Sequence, residues 1–247
     1  MRNEKAEELF SGWDEAMIWS CLQGHMGTLI LDEEETPKSA MIDIGDFCFA
    51  AGQPCDELLK KINVSNGMKL LASKDSTWDS KIEEFFGNRA EKILRYAIKK
   101  EPGVFDKEKL AAFAAALPEE YELRMFDKEI FELAAREPWS VDLCSQFQDY
   151  GDYQKRALGA AVLHQGNLVA GASPYAVYDG GIEIEIDTKP EYRQKGLATV
   201  CGAKLILECL ERNLYPSWDA HDLRSVALAE KLGYHMSHPY VTYVLEK

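Results

Sequence analysis

Residues 181–200 read GIEIEIDTKPEYRQKGLATV. Ile182, Glu183, Ile184, Glu185 and Ile186 alternate apolar and acidic, a period of two that predicts a strand over Ile182–Asp187. Pro190 turns the chain into a basic, Gly-bearing segment: Arg193, Gln194, Lys195, Gly196, Leu197, Ala198, Thr199. It runs into an apolar helix that carries Leu197, Val200, Cys201 and Leu205 inward and ends near Asn213. A strand feeding a Gly-bearing loop at a helix N-terminus makes an anion site. The first helical N–H groups have no intrahelical partner, and the helix dipole adds about half a positive charge. Arg193 and Lys195 add two full ones. Such a site suits a phosphate or pyrophosphate.

Composition bounds what this site belongs to. The chain has 247 residues, 46% hydrophobic and 28% charged, which reads as a soluble globular protein with length for one large or two small domains. No apolar run is long enough for a membrane span, and MRNEKAEELF lacks the apolar core of a secretory signal. The formal net charge of −14 argues against nucleic-acid binding and is compatible with a cationic substrate such as an amine. The six cysteines form no C-x-x-C pair, and no His stands at ligand spacing from two of them. We therefore expect reduced thiols, no metal site and a cytoplasmic location. The oligomeric state is not legible.

Working outward, residues 3–21 read as one amphipathic helix, with Ala6, Leu9, Phe10, Trp13, Met17 and Cys21 on a stripe. Gly27–Leu31, Ala40–Ile44, Phe47–Ala51 and Met68–Ala72 read as strands. A helix from Thr77 to Phe86 is interrupted at Gly87 and resumes from Ala90 to Lys100. Asp106 caps a helix over Lys107–Leu117, and Pro118 closes it. We place the domain boundary there, giving 1–117 and 118–247. The second part reads as a strand at Tyr121–Phe126, short helices at Lys128–Ala135 and Val141–Phe147, and a hairpin of Leu158–Leu163 with Leu168–Val177. After the quoted stretch come a strand at Tyr215–Ala220, a helix from Asp222 to Leu232 closed by Gly233, and a last strand at Tyr240–Leu245. The strand, acidic turn and strand at Gly27–Ile44 echo the Leu158–Val177 hairpin. The first part reads either as a degenerate copy of the second or as an unrelated α/β domain.

The pattern Arg193-x-x-Gly196-x-Ala198 resembles the acyl-CoA-binding signature of the GNAT N-acetyltransferase superfamily, Gln/Arg-x-x-Gly-x-Gly/Ala. Asp222 to Ser225, followed by Lys231-Leu232-Gly233-Tyr234, resembles that superfamily's later segment, Asn-x-x-Ser and then Lys-Leu-Gly-Phe/Tyr. The resemblance covers about the last half of the chain. It implies an α/β (α+β) fold of GNAT type with a mixed, partly splayed central sheet, here with an additional N-terminal α/β domain. It also implies an acetyl-CoA-dependent N-acetyltransferase acting on a small-molecule or protein amine. The alternative is a non-catalytic acyl-CoA-binding or regulatory protein on the same fold.

By this resemblance, Gln194 to Thr199 and Arg193 hold the pyrophosphate. Ile186 and Thr188 pair main chain to main chain with the pantetheine arm, and Ser225 adds a contact. Glu185 and Glu183 are the candidate bases, since two carboxylates on one face of a central strand need a reason. Ile182, one residue away, stands where some members place a glutamate. Ala229 stands where many members carry a tyrosine acid, and Asp222 replaces the usual Asn. His221 is a further titratable group beside them.

Overall fold

The computed structural model describes residues 4–65 and 67–246. In chain order the elements begin with helices α1 (Glu4–Leu9) and α2 (Ala16–Leu22) and strands β1 (Thr28–Leu31), β2 (Ser39–Ile44) and β3 (Phe47–Gly52). Next are α3 (Asp56–Leu59), β4 (Lys69–Ser73), α4 (Thr77–Phe86), β5 (Ala90–Ile98) and α5 (Lys107–Ala115). The middle of the chain forms β6 (Tyr121–Met125), α6 (Lys128–Ala134), α7 (Tyr150–Arg156), β7 (Ala160–His164), β8 (Asn167–Tyr178) and β9 (Gly181–Thr188). Last come α8 (Leu197–Glu211), β10 (Tyr215–Ser217), β11 (Asp219–Ala220), α9 (Leu223–Leu232) and β12 (Met236–Leu245).

The chain divides into two compact units. One runs up to Arg95 and takes in the residues from Pro239 onward; the other is Tyr96–His238. In the first unit the strand order is β1-β2-β3-β4-β12-β5. Antiparallel hairpins join β1 to β3, β4 lies parallel to β3, and β12 lies antiparallel to β4. Trp78, Ile82 and Phe86 recur every four residues along α4, so they share one face. That face packs with Leu58 and Leu59 of α3 onto Met41, Cys48, Ala50, Leu71 and Tyr243 of the sheet. Burying each large apolar side chain contributes roughly 1.5–3 kcal/mol.

In the second unit five strands run β10-β9-β8-β7-β6. Neighbours from β6 to β9 are antiparallel, and β10 is parallel to β9. Helix α8 covers one face. A Cβ on its Gly202 would stand 3.1 Å from Cδ1 of Ile186, so α8 rests closely on the isoleucine face of β9. The 3₁₀ turn Val141–Leu143 covers the other face, where a Cβ on Gly171 would meet Leu143 at 2.6 Å. Leu143, Ile130 and Ala134 complete a core there with Ala161, Leu163 and Leu168. Strand β11 pairs with Tyr96 and Ala97 at the end of β5.

Several expectations need correction. The N-terminal stripe is broken into α1 and α2, with Gly12 between them at φ +76°; Asn3 lies outside the described residues. Residues 90–98 form a strand, not a resumed helix. Gly87 ends α4 at positive φ, and pairing partners far along the chain make the next segment extended. Only a 3₁₀ turn forms within 141–147, and the helix comes later, at α7. That helix exposes most of its surface and buries only Tyr153, so it lacks an apolar stripe to read. The strand expected over Tyr215–Ala220 is two strands in two different sheets, parted at Trp218. The units divide inside β5 and inside β12 rather than at Pro118, so residues 96–117 group with the C-terminal unit.

Candidate active site

The parting at Trp218 creates the site. Strand β10 pairs with β9 only at Gly181, Ile182 and Glu183. Beyond Ser217 the chain leaves for the other sheet, while β9 continues to Thr188, paired with β8 alone. Two hydrogen bonds fix which main-chain groups face the vacated edge. Tyr215 N–H donates to Gly180 O at 2.8 Å, so even-numbered residues aim toward β10. Lys189 N–H donates to Val169 O at 2.9 Å, so odd-numbered ones aim toward β8. Alternation then turns the N–H and C=O of Ile184, Ile186 and Thr188 to the vacated edge. These include both residues expected to meet the pantetheine arm.

The edge leads into the basic loop. Pro190–Tyr192 form a 3₁₀ turn, Gln194 adopts φ +63°, and Gly196 at φ +79° is the N-cap of α8. No side chain caps this helix, and its first turn holds no acid. Val200 N–H is the first to return to Gly196 O, at 3.2 Å. The N–H groups of Leu197, Ala198 and Thr199 are left for another acceptor. A Cβ on Gly196 would meet nothing within 4 Å, so the space above the helix start is open. Arg193 folds back, its Nε donating to Thr188 O at 3.2 Å, and Lys195 Nζ lies 4.7 Å from the centre of the Tyr192 ring.

Sequence reasoning missed a third cation. Lys231, in the last turn of α9, donates to Thr199 Oγ1 at 3.3 Å and lies 5.3 Å from the centre of the Phe113 ring. The signal was present in the Lys231-Leu232-Gly233 segment, but the meeting of α9 with the first turn of α8 is a tertiary fact. Open donors, three cations and a glycine with free space fit a pyrophosphate.

The acidic face is opposite α8. Cross-strand partners share a face, so Asp187 sits with Gly171 under the 3₁₀ turn, and Glu185 sits beside Ser173. Glu183 is buried, and Glu185 and Asp187 are half-buried. Burial pushes the Asp187 carboxyl up to about 6, with Asp142 adding to the rise and Arg193 opposing it. Asp187 was not singled out from sequence, because its burial depends on the Val141–Leu143 turn. Ser173 Oγ lies 2.8 Å from the hydroxyl of buried Tyr153, a polar pair next to Glu185.

The α9 segment is built as a capped turn. Asp222 accepts from the N–H groups of Arg224 (2.9 Å) and Ser225 (3.0 Å). Ser225 Oγ accepts from Trp218 Nε1 at 3.1 Å, which ties the helix start to the residue where the strands part. Ala229 is fully buried, and the Tyr234 hydroxyl is committed to Pro216 O at 2.6 Å. His221 is exposed. Burial raises the thiols of Cys48, Cys201 and Cys209 to about 12, which makes them poor nucleophiles. Among the described residues no cluster of three or more His, Cys, Asp or Glu is placed to hold a metal, and no helix is long and apolar enough to cross a membrane.

Known proteins share this fold. The solved structure of a GCN5-related N-acetyltransferase-like protein from Streptococcus suis 89/1591 is 41% identical, covers both chains in full and superposes with a TM-score of 0.95. An uncharacterized N-acetyltransferase of Bacillus subtilis, YdfB, is 27% identical over 233 residues, 88% of this chain and 85% of that protein. A GNAT-family putative acetyltransferase from Novosphingobium aromaticivorans shares the fold at 17% identity and a TM-score of 0.56, over 95% of this chain and 98% of that one. The model of the GNAT acetyltransferase family matches residues 7–243, so the likeness read from the last half extends over nearly the whole sequence. With that span and the splayed, Gly-capped site in place, the chain belongs to the GNAT acetyltransferase family.

Proposed function

We propose that the chain uses acetyl-CoA and transfers its acetyl group to the nitrogen of a primary amine. The observation that carries this reading is the junction at Thr188: a strand edge that β10 leaves without a partner strand beyond Glu183 runs straight into an uncapped, cation-flanked helix N-terminus. A nucleotide thioester with a peptide-like arm and a pyrophosphate needs both features in that order. Acetyl-CoA supplies an activated acetyl thioester. Arg193, Lys195 and the N–H groups of Gln194 to Thr199 would hold its phosphates. The even-numbered groups of β9 would hold its arm. An N–H on the same edge can polarise the acyl carbonyl.

The amine must lose a proton when it attacks. Half-burial on the acidic face, one residue from the Ile186 edge, supports Glu185 in this role. Glu183 lies deeper on the same face. A specific observation favours a binding-only protein. The buried methyl of Ala229 cannot protonate a leaving thiolate, and the Tyr234 hydroxyl is already engaged.

Thiol release from acetyl-CoA against a panel of primary amines separates the two readings. Amine-dependent thiol release is the expected result. A protein that binds CoA and releases no thiol with any amine, small or peptidic, contradicts transfer.

A further inference from the structure

The two units repeat one plan. In the second, hairpin β8–β9 is followed by α8, then by β10 parallel to β9, then, past the two-residue β11, by α9 and β12. In the first, hairpin β2–β3 is followed by α3, then by β4 parallel to β3, then by α4 and β5. The spacing agrees as well as the order. Lys69 to Thr77 and Tyr215 to Leu223 are the same eight-residue step from strand start to helix start. Helices α4 and α9 are 10 residues each, and both are followed by a glycine at positive φ, Gly87 at +56° and Gly233 at +113°. Four residues after each helix ends, the next strand begins, at Ala90 and at Met236.

The closing strands repeat too. The last residues of β12 lie antiparallel to β4, and the last residues of β5 lie antiparallel to β11. Strand β11 follows β10 in the chain but lies in the same sheet as β5 and β12, and the units divide within those two strands.

The copies differ where the anion site would be. Helix α8 has 15 residues and no acid in its first turn; α3 has 4 residues and begins with Asp56 and Glu57. The open space above Gly196 has no counterpart at Gly52, where a Cβ would collide with Lys38 O. Gln53 N–H donates to that same oxygen at 3.0 Å, and Ser39 Oγ donates to Gln53 O, so the end of β3 is closed by its own neighbours. Strand β4 stays paired with β3 from Phe47 to Ala50, and Lys74 N–H continues the ladder to Ala50 O at 2.9 Å. No edge like that of β9 is left among the described residues.

We infer that the first unit is a second copy of the same half-fold whose acyl-CoA site has been closed, so that the chain binds one acyl-CoA, at α8. The inference rests on the proposed use of acetyl-CoA. Shortening the helix, placing two carboxylates at its start and keeping the strands zipped each remove one requirement for a phosphate or a pantetheine arm.

Isothermal titration of the full chain with CoA tests it, with the variant carrying Arg193→Ala and Gly196→Asp titrated in parallel. Circular dichroism monitors the variant's fold, and the milder Lys195→Ala serves if the double change unfolds. We expect one CoA per chain, with saturation lost in the double variant, or affinity reduced severalfold at the same stoichiometry in Lys195→Ala. Two CoA per chain, or undiminished binding by a folded variant, overturns the closed-copy inference while leaving CoA use intact. No binding to the wild-type chain overturns it together with the proposed function.

Discussion

Strands β3 and β9 hold the same place in their units and end in opposite ways. Strand β3 finishes at Gly52, pressed against Lys38 O, two residues past its last partner in β4. Strand β9 runs five residues past its last partner in β10 and delivers the chain to an open, positively framed helix start. Both ends carry a glycine at positive φ, yet for different reasons. At Gly52 a side chain is forbidden by space and backbone together; at Gly196 only the backbone demands it. The difference teaches that a binding groove in this fold is made by withdrawing a strand, and the lining residues exploit what that withdrawal exposes.

The largest effect that would break this comparison concerns the two helix starts. Arg193→Ala with Gly196→Asp should abolish the rise in melting temperature on adding CoA, since a ligand that binds only the native state stabilises it by mass action. The carboxylate would stand where the phosphate approaches. Glu57→Ala at α3 should leave that rise unchanged. A thermal-shift series in which both variants lose the response equally would remove the distinction between the units.

Next in size is catalysis. Glu185→Gln should lower turnover by roughly a hundredfold or more while CoA affinity stays within about twofold, the expected size of a lost general base. Glu183→Gln is the companion on the same face. Steady-state kinetics showing wild-type turnover in both would move the base to His221 or to a water.

The glycines sharpen the comparison in stability. Gly52→Ala should destabilise by more than about 2 kcal/mol, because its Cβ meets backbone oxygen and φ is +84°. Gly196→Ala meets open space and should lose about 1–2 kcal/mol from the left-handed backbone alone. Urea denaturation of the two variants reads the difference directly, and equal losses would contradict it.

A smaller, pH-dependent effect belongs to Asp187. Its folded pKa of about 6 lies above the unfolded value of about 3.9. The native state therefore binds the proton more tightly. The associated stability is present below about pH 4 and lost as pH rises through about 6. Asp187→Asn should remove this dependence and raise the melting temperature at about pH 7.5 relative to wild type. Smallest of all, Lys231→Met should weaken CoA binding a few-fold and flatten its salt dependence, because one exposed cation is removed.

Legibility divided along similar lines. The Ile182–Asp187 alternation, the Asp106 and Asp222 caps and the Gly196 turn are local, and the structure bears out the elements read from them. Strand β5 was not legible, because Ala90, Ile93, Leu94 and Ala97 satisfy helical spacing and only distant pairing makes them a strand. The break at Trp218 leaves no mark in composition, yet it opens the groove. Lys231 and Asp187 gain their significance from Thr199 and from the Val141–Leu143 turn, contacts that no spacing encodes. In the first unit the shared family extent was hidden for a related reason. The short α3 carries no glycine-basic signature to recognise.

The central claim is that acyl-CoA lies along the vacated edge of β9 with its phosphates on the start of α8. A crystal structure of the chain with CoA tests it most directly. The account predicts pantetheine amides paired with main-chain groups of Ile186 and Thr188, and phosphate oxygens accepting from N–H groups between Gln194 and Thr199. CoA seated on the first unit, or crossing β9 without main-chain pairing, would contradict it.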